Sequence, residues 1–426
     1  MQIKVRNVAK VLEADVALDG LTVIAGYNNM GKSTILKVMY IVLNTLRNAN
    51  RKVITVRKRS ISNYLLDQEA HFDKNGYEWL PRELLGTVAR KVNDHCGDFM
   101  NESRENYTLF KEIFVDSLEQ YREFWQDDLE KRDIYTDEFI RPLYKKVREI
   151  CTRDKKNDLK YVAEMYIRSV FNGQINSLHN ESDALVAIDS INEHYYMSIR
   201  ENKVLEMEYS ANTEPDVFYL PAYNLLDMVD RRTYGAGMYS PEYDVKSALY
   251  SQEKEPTFEE YEEIESNTKL IRDIFHEVIH GKLERQQSGN LTFRDEDLND
   301  SVRIGNVASG MKTFLIIQSL VEKGKLKRNS ILLIDEPETN LHPEWHLKFA
   351  EILVLMYKYM GVRSIVNSHS PYFIRAIEVK MADYEVKNAG RYYIMEETGK
   401  NFFKVKDVTE KTDQIYELLY KPLQYL

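Results

Sequence analysis

The feature that most constrains this chain is a glycine-framed loop at residues 26–33, whose sequence GYNNMGKS matches the pattern G-x-x-x-x-G-K-[ST] in full. The loop directly follows Leu21–Ala25, an apolar run typical of a buried strand, and directly precedes a segment with helical spacing of apolar residues from Thr34 to Leu46. In this context backbone N–H groups turn inward around a phosphate, and the helix N-terminus adds positive potential. The sequence therefore predicts an α/β fold with a nucleotide-phosphate site at this loop.

Two side chains of the loop have separate predicted tasks. Lys32 is expected to reach the β- and γ-phosphates of ATP, and the hydroxyl of Ser33 is expected to help hold Mg²⁺. Asn28 and Asn29 suit a tight loop, because asparagine tolerates left-handed backbone better than most residues. The residues predicted to line the bound nucleotide here are Gly26, Asn28, Asn29, Met30, Gly31, Lys32, Ser33 and Thr34.

A pair of acids follows a second apolar run. The letters ILLI at 331–334 predict a buried strand, and Asp335 and Glu336 come directly after it. Because α/β sheets bind ligands at the carboxyl ends of their strands, both carboxylates are expected at that edge. Asp335 is predicted to help hold Mg²⁺, and Glu336 is predicted to act as a general base that accepts a proton from the attacking water.

Two further segments narrow the class of enzyme. Ser309 and Gly310 open an apolar helix, and Ser309 is expected to cap it and leave free N–H groups that form an anion site. The run 364–367 predicts another buried strand, and His369 stands just after it. Since a helical segment separates the acid pair from this strand, a parallel sheet would bring His369 beside Asp335 and its neighbour. His369 is therefore predicted to take part in catalysis.

Taken in order, the loop, the Ser-Gly helix start, the Asp-Glu pair and the histidine resemble the ABC-ATPase superfamily. The letters DEPETNLHP at 335–343 and NSHSP at 367–371 are similar to those of the OLD-like ATPases, a group related to chromosome-maintenance and RecF-type heads and common in prokaryotic defence. The resemblance covers roughly residues 1–45 and 190–390. It implies an α/β, ABC-type P-loop NTPase head with a parallel-sheet core and a large helical insertion.

The resemblance also implies how such a site works. ATP with Mg²⁺ would be bound and hydrolysed, and Ser309 and Gly310 would contact the γ-phosphate of ATP held by a second copy. His369 would act as a switch, and Glu338–His342 would line the interface. The implied partners are a homodimer or higher homo-oligomer joined through the heads, and a separately encoded effector such as a nuclease or toxin. Septu-like and PARIS-like defence ATPases are the nearest comparisons.

The chain departs from the family pattern in two places. Its signature segment, which begins at Ser309, lacks the second glycine and the glutamine of the fuller transporter motif. No glutamine clearly marks the loop that usually senses the metal. We therefore expect the contacts of this segment with nucleotide to differ from those in transporters, and we assign no metal-sensing glutamine.

Composition divides the chain into a head and an insertion. Residues 46–189 are highly charged and rich in tyrosine, with few glycines and prolines, and segments such as Glu102–Asp127 read as amphipathic helices. The predicted head therefore comprises 1–45 and 190–426. A final helix at Asp413–Leu426 is expected to pack on the core or to dock a partner.

The charge distribution leaves a role in binding nucleic acid open. The net charge of −10 argues against a general nucleic-acid coat. However, residues 20–66 contain no acid, and the basic residues between Arg47 and Arg59, which include Arg57, Lys58 and Arg59, could contact the phosphates of DNA or RNA. The alternative function is therefore a DNA-repair or chromosome-maintenance head that clamps DNA. A solvated basic surface, or a docking face for an acidic partner, would give the same pattern.

The histidine pairs His276 with His280 and His342 with His346 have the i, i+4 spacing of zinc ligands, but neither has an obvious third ligand. The residues after His369 contain no Asp-x-Asp pair, so we expect no TOPRIM nuclease domain in this chain.

The location of the protein is predicted from cysteine content and hydropathy. The chain has 2 cysteines, which cannot form a disulfide framework and which suit a reducing compartment. No apolar run reaches the ~18 residues of a membrane span. We therefore expect a cytoplasmic protein without a membrane partner, which argues against the motor subunit of a transporter.

Overall fold

The computed structural model describes residues 1–72, 82–101, 105–121, 137–178, 181–189, 194–210, 215–230, 238–251, 258–287, 289–399 and 401–421. The chain forms two compact units, one made of Met1–Arg47 with Ala163–Leu426 and the other of Asn48–Val162. The second unit is shorter than the predicted insertion of 46–189. The difference arises because the segment after Val162 belongs to the first unit, where strand Ala184–Asp189 pairs with strand Gln2–Val8.

The strands of the described residues form two sheets. Their bounds are β1 Gln2–Val8, β2 Val11–Ala17, β3 Leu21–Ala25, β4 Ala184–Asp189, β5 His194–Arg200, β6 Lys203–Ser210, β7 Val217–Leu220, β8 Gly281–Arg285, β9 Leu291–Asp295, β10 Val302–Arg303, β11 Ile331–Asp335, β12 Arg363–Ser368, β13 Gly390–Gly399 and β14 Phe402–Asp407. The larger sheet has the order β6-β5-β4-β1-β2-β14-β13-β3-β12-β11-β7, and the smaller has the order β10-β9-β8.

The core of the large sheet is parallel. Strands β13, β3, β12, β11 and β7 are neighbours, and each adjacent pair among them is parallel. Every residue of β3 and of β11 is buried, as expected for strands covered on both faces. On the other side, β2, β1, β4, β5 and β6 continue the sheet as antiparallel neighbours. The predicted α/β fold with a parallel-sheet core is thus confirmed.

The helices of the described residues are divided between the two units. Their bounds are α1 Lys32–Leu46, α2 Ala49–Phe72, α3 Arg82–Asp94, α4 Glu105–Tyr121, α5 Asp137–Thr152, α6 Lys155–Phe171, α7 Leu225–Asp230, α8 Pro241–Tyr250, α9 Phe258–Val278, α10 Ser309–Glu322, α11 Pro343–Met360, α12 Pro371–Asp383 and α13 Asp413–Tyr420. Helix α13 is the predicted final helix, of which residues 422–426 lie outside the described residues. No helix in the described ranges is long and apolar enough to cross a bilayer.

Three helices that flank the predicted site are joined by aromatic rings. The ring of Phe349 on α11 lies 4.9 Å from that of Phe314 on α10 and 6.0 Å from that of Phe373 on α12, both in edge-on arrangements. All three rings are buried in the core that also covers β3 and β11. Such pairs add specific geometry to apolar burial. The segments that begin these helices are therefore held in fixed positions relative to the sheet.

The helices of the second unit surround an apolar core of their own, which includes Leu85, Phe99, Phe110 and Phe114. The thiols of Cys96 and Cys151 meet in this core, with 3.9 Å between their sulfur atoms. Both cysteines are free. A pair of residues distant in sequence is thus brought together by the packing of helices.

Arg57 is buried in the second unit, which corrects its expected contact with nucleic acid. Its Nε donates to the carboxylate of Asp158 at 2.8 Å, and its Nη1 donates to the carbonyl of Cys151 at 2.6 Å. Asp158 is fully buried and also accepts from Nε of Arg153 at 2.8 Å. A guanidinium that is 7% exposed serves this internal ion pair rather than a phosphate backbone. Of the other two predicted contacts, Arg59 is exposed and Lys58 is half-buried.

Candidate nucleotide site

The carboxyl ends of three neighbouring strands bring the predicted site residues to one edge of the sheet. In the parallel register Asp335 of β11 pairs with Asn367 of β12, and Ser368 of β12 pairs with Ala25 of β3. The glycine-framed loop 26–33, called here the P-loop, leaves β3 at this edge, and His369 leaves β12 there. Parallel sheets bind ligands at such an edge. The structure thus assembles the P-loop, the acid pair and the histidine as predicted.

The P-loop backbone is shaped by two residues in the left-handed region, Asn29 with φ of 68° and Gly31 with φ of 92°. A Cβ on Gly31 would lie 2.9 Å from Cγ2 of Val11, which is too close for an ordinary contact. The side chain of Asn29 accepts a hydrogen bond of 2.8 Å from Lys10. Helix α1 begins immediately after Gly31, so its free N–H groups open onto the loop.

Lys32 lies folded beneath this loop. The residue is 4% exposed, and its Nζ donates to the carbonyl oxygens of Gly26 and Tyr27 at 2.9 Å each. Burial lowers the pKa of Lys32, while the nearby carboxylates of Glu336, Asp335 and Glu338 act in the opposite direction. A buried ammonium held by loop carbonyls fits an incoming phosphate, because an anion would compensate the charge better than neutral oxygens do.

Asp335 is held in a buried polar group at the end of β11. The residue is 6% exposed, and its carboxylate accepts from Nδ2 of Asn367 at 3.1 Å and from the hydroxyl of Tyr219 at 3.4 Å. Burial and the Asp335 charge raise the pKa of Tyr219 well above its usual value. Asn367 and Tyr219 were given no role from the sequence. Their positions opposite an acid become visible only when strand register is known.

The oxygens available here suit Mg²⁺, which prefers carboxylate and hydroxyl ligands. The half-buried hydroxyl of Ser33 stands at the start of α1, and the Asp335 carboxylate stands two strands away. The amide oxygen of Asn367 is buried without a hydrogen-bond partner. This oxygen beside Asp335 is an acceptor of the kind that a hydrated cation satisfies. The residues predicted to hold the metal, Ser33 and Asp335, therefore fit such a group.

Glu336 and His369 face each other beside this acid. Glu336 has left-handed backbone with φ of 50°, and its N–H donates to the carbonyl of Asn367 at 3.0 Å. Nδ1 of His369 lies 3.4 Å from Oε1 of Glu336 and 3.5 Å from Oε1 of Glu338. A non-glycine residue in this conformation is strained, and such strain clusters at functional sites. The geometry allows Glu336 and His369 to act on one reacting centre.

Ser309 and Gly310 begin α10, but Ser309 does not cap it. The N-cap position is Ala308, no side chain caps the helix, and Ser309 is its first residue. The expected cap is therefore wrong, because the helix starts at the serine itself. Gly310 packs tightly against the segment after the acid pair, since a Cβ there would lie 2.5 Å from the carbonyl oxygen of Asn340. This contact joins the start of α10 to the predicted interface segment Glu338–His342.

The histidine pairs show no metal cluster. His276 and His280 have ring centroids 5.4 Å apart, and Nε2 of His276 lies 3.3 Å from the Glu296 carboxylate. His342 instead caps α11, accepting from the N–H of Glu344 at 3.4 Å. Within the part of the chain that the structure describes, no group of three potential metal ligands of the His, Cys, Asp or Glu types occurs.

Three solved structures of SMC heads are similar to this chain along most of its length. The first is an SMC head bound to the C-winged helix domain of ScpA, with a TM-score of 0.46 and 11% identity, covering 97% of this chain and 98% of that chain. The second is the SMC head domain from Thermotoga maritima, with a TM-score of 0.37 and 9% identity, covering 96% and 98%. The third is an SMC head with an extended coiled coil bound to the C-terminal domain of ScpA from Pyrococcus furiosus, with a TM-score of 0.35 and 13% identity, covering 98% of each chain. At TM-scores this low, no role is transferred from these heads.

Comparison by sequence gives the family. No protein with a curated description matches the chain. The model of a family described as an AAA ATPase domain matches residues 1–374, which include the P-loop, Asp335, Glu336 and His369. By this match over most of its length, the chain belongs to the AAA ATPase domain family.

Proposed function

We propose that this chain is an ATP-hydrolysing switch of the ABC type, whose site is completed by a second copy and which controls a separately encoded effector in prokaryotic defence. The observation that carries the proposal is the meeting of Lys32, Asp335, Glu336 and His369 at the carboxyl ends of three adjacent parallel strands. The family match supports the ATPase part of the proposal. The control of an effector such as a nuclease or toxin rests on the OLD-like motif segments.

The phosphate end of ATP is assigned to the P-loop. Bound phosphate would replace the carbonyls of Gly26 and Tyr27 as the partner of the Lys32 ammonium, and the N–H groups at the start of α1 would add further donors. Ser33 and Asp335 would hold Mg²⁺, which neutralises charge that develops on the phosphates. Asn367 and Tyr219 fix the Asp335 carboxylate by hydrogen bonds. Lys32 and these neighbours therefore bind and orient the terminal phosphate.

The transfer to water is assigned to Glu336. Its carboxylate is 22% exposed, so it is reachable by water while it remains close to the buried end of β11. Glu336 would accept a proton from the attacking water, and His369 at 3.4 Å would orient that carboxylate and sense the terminal phosphate. In this assignment Asp335 holds the metal, and Glu336, the next residue in the chain, acts as the base.

Completion by a second copy is assigned to the start of α10. Ser309 and Gly310 present the N-terminal end of a helix, and such an end favours an anion. If the anion is the γ-phosphate of ATP on a second copy, nucleotide binding and association become linked, because each ligand favours the same assembled state. The proposed partners are thus a homodimer or higher homo-oligomer in the cytoplasm, together with the effector.

Substituting Glu336 by Gln tests the assigned base. The amide keeps the shape of the side chain but cannot accept the proton, so we expect steady-state ATP hydrolysis to fall by about 10²-fold or more while ATP binding persists. Phosphate release and nucleotide affinity would be measured on the full chain. The control is Glu344→Gln, which changes an exposed acid of α11 and should leave turnover unchanged. Unchanged hydrolysis in Glu336→Gln would remove Glu336 from the mechanism.

The alternative function, a head that clamps DNA, is favoured by one observation, the exposure of Arg51 and Arg59 on α2. Under this alternative, ATP-dependent DNA binding would weaken with salt and would be lost in the Arg51→Ala/Arg59→Ala double variant. Arg57→Ala is unsuitable for this purpose, because Arg57 is buried against Asp158. DNA binding of this kind would replace the effector-control proposal.

A further inference from the structure

The carboxylate of Glu338 is buried at the edge of the sheet that carries the site. The residue is 7% exposed, although it lies in the loop that follows β11. A glutamate in such a loop is normally solvated, and burial of its charge is costly unless hydrogen bonds compensate it. The resemblance implies that the segment Glu338–His342 lines an interface. The buried side chain of Glu338 indicates a further role within its own chain.

One oxygen of this carboxylate accepts three hydrogen bonds from the end of β12 and the turn that leads to α12. Oε1 of Glu338 accepts from the hydroxyl of Ser368 at 2.6 Å, from the N–H of His369 at 3.0 Å and from the N–H of Ser370 at 3.2 Å. Hydrogen bonds to an ionised acceptor are stronger than those between neutral groups. Three hydrogen bonds to the Glu338 carboxylate therefore join the segment around His369 to the loop that contains Glu336, in addition to the bond from the N–H of Glu336 to the carbonyl of Asn367 on β12.

Two further hydrogen bonds involve the serines on either side of His369. The hydroxyl of Ser368 also accepts from the N–H of Ser370 at 3.0 Å, and the hydroxyl of Ser370 caps α12 through the N–H of Phe373 at 3.2 Å. These bonds shape the turn itself, but neither reaches the loop after β11. The second oxygen of Glu338, Oε2, is buried without a hydrogen-bond partner in the structure. The hydrogen bonds that the Glu338 carboxylate accepts thus come from Ser368, His369 and Ser370.

We propose that Glu338 is a positioning residue, which holds the His369 turn against the loop after β11 so that the imidazole stays beside Glu336. This inference rests on the proposed ATPase function and deepens it. His369 is 39% exposed and lies 3.4 Å from Glu336, so its ring is not fixed by packing alone. Catalysis is sensitive to such placement, because small displacements of positioned groups cost large factors in rate.

Two variants of Glu338 test whether its role depends on accepting hydrogen bonds. Glu338→Ala removes the acceptor, and we expect kcat for ATP hydrolysis to fall by about tenfold to a hundredfold, with ATP affinity little changed. Glu338→Gln keeps an acceptor oxygen at Oε1 and places its NH₂ where Oε2 has no partner, so it should restore most of the wild-type kcat. Hydrogen exchange of the His369 and Ser370 amides should accelerate in Glu338→Ala alone.

Controls distinguish the outcomes. Glu344→Ala, which truncates an exposed acid in the first turn of α11, should leave kcat and amide exchange unchanged. Retained ATP binding by Glu338→Ala shows that the variant is folded. Wild-type kcat in Glu338→Ala, or equal loss in the Ala and Gln variants, would overturn the positioning role. Absence of ATP hydrolysis in the unaltered protein would instead refute the proposed function on which this inference rests.

Discussion

At Gly31 of the P-loop, both the backbone conformation and the packing require glycine. Its φ of 92° is unfavourable for any side chain, and an added Cβ would meet Val11 at 2.9 Å. We expect Gly31→Ala to weaken ATP binding by about tenfold or more, because strain of this kind costs about 1–3 kcal/mol and displaces the loop. Gly86→Ala is the matched control, since nothing lies within 4 Å of a Cβ at Gly86 on α3. Tight binding of ATP by Gly31→Ala would contradict this account.

The residues that the sequence identified are those whose chemistry is local. Lys32 and Asp335 stand in motifs that fix their surroundings over a few positions, and the structure brings them to one edge as predicted. Tyr219 and Glu338 were not identified as site groups, because their partners lie in other strands. The polarity of a residue is visible in sequence, whereas the donor that faces it depends on long-range register. Tyr219 could be recognised as a site residue only once β7 was known to lie next to β11.

At the scale of elements, apolar runs predicted the parallel strands β3, β11 and β12, whereas the hairpin of β5 and β6 is hard to recognise from its sequence pattern. The segment His194–Tyr209 reads as continuous strand-like alternation, yet it forms β5 and β6. Glu201 and Asn202 make the turn with φ of 50° and 63°. This conformation suits a two-residue hairpin turn, although glutamate is an unusual residue for it. The sequence marks this turn only weakly, because its first residue, Glu201, is neither glycine nor asparagine.

The meeting of Cys96 and Cys151 yields a prediction about the helical unit. Their sulfur atoms are 3.9 Å apart, and a hydrogen bond from the Cys151 thiol lowers the pKa of Cys96. We expect a mild thiol oxidant such as diamide to take two electrons and two protons from the pair and leave an intramolecular disulfide. The reaction should be slow, because both residues are buried. Intact mass after oxidation should fall by two hydrogens.

Two controls accompany this oxidation. Cys96→Ser should show no mass loss, and a reductant should restore both thiols of the unaltered chain to maleimide labelling after unfolding. Labelling of two thiols per chain after complete treatment with oxidant would show that the sulfur atoms do not approach in solution. Sequence counting alone suggested only that the cysteines form no framework. Their pairing in space depends on how the turn after α3, which contains Cys96, meets α5, which contains Cys151, and no local pattern encodes this.

At the scale of the whole molecule, the proposal predicts association that depends on ATP. In the presence of ATP and Mg²⁺, Glu336→Gln should show about twice the mass of one chain, because blocked hydrolysis retains the nucleotide that joins two copies. Mass would be measured in solution with and without nucleotide. Lys32→Ala, which removes the buried ammonium of the P-loop, should stay at its nucleotide-free mass. The same mass with and without ATP in Glu336→Gln would argue against a shared site.

The close contact at Gly310 has a consequence for how two nucleotide sites would influence each other. Because a Cβ would lie 2.5 Å from the carbonyl of Asn340, there is no slack between the start of α10 and the loop after β11. In a dimer of the proposed kind, a shift of α10 toward the nucleotide of the second copy would also displace the loop after β11, which serves the nucleotide of its own chain. The two nucleotide sites of such an assembly would therefore be coupled rather than independent. The coupling would depend on Gly310, because only a residue without a Cβ permits this close contact.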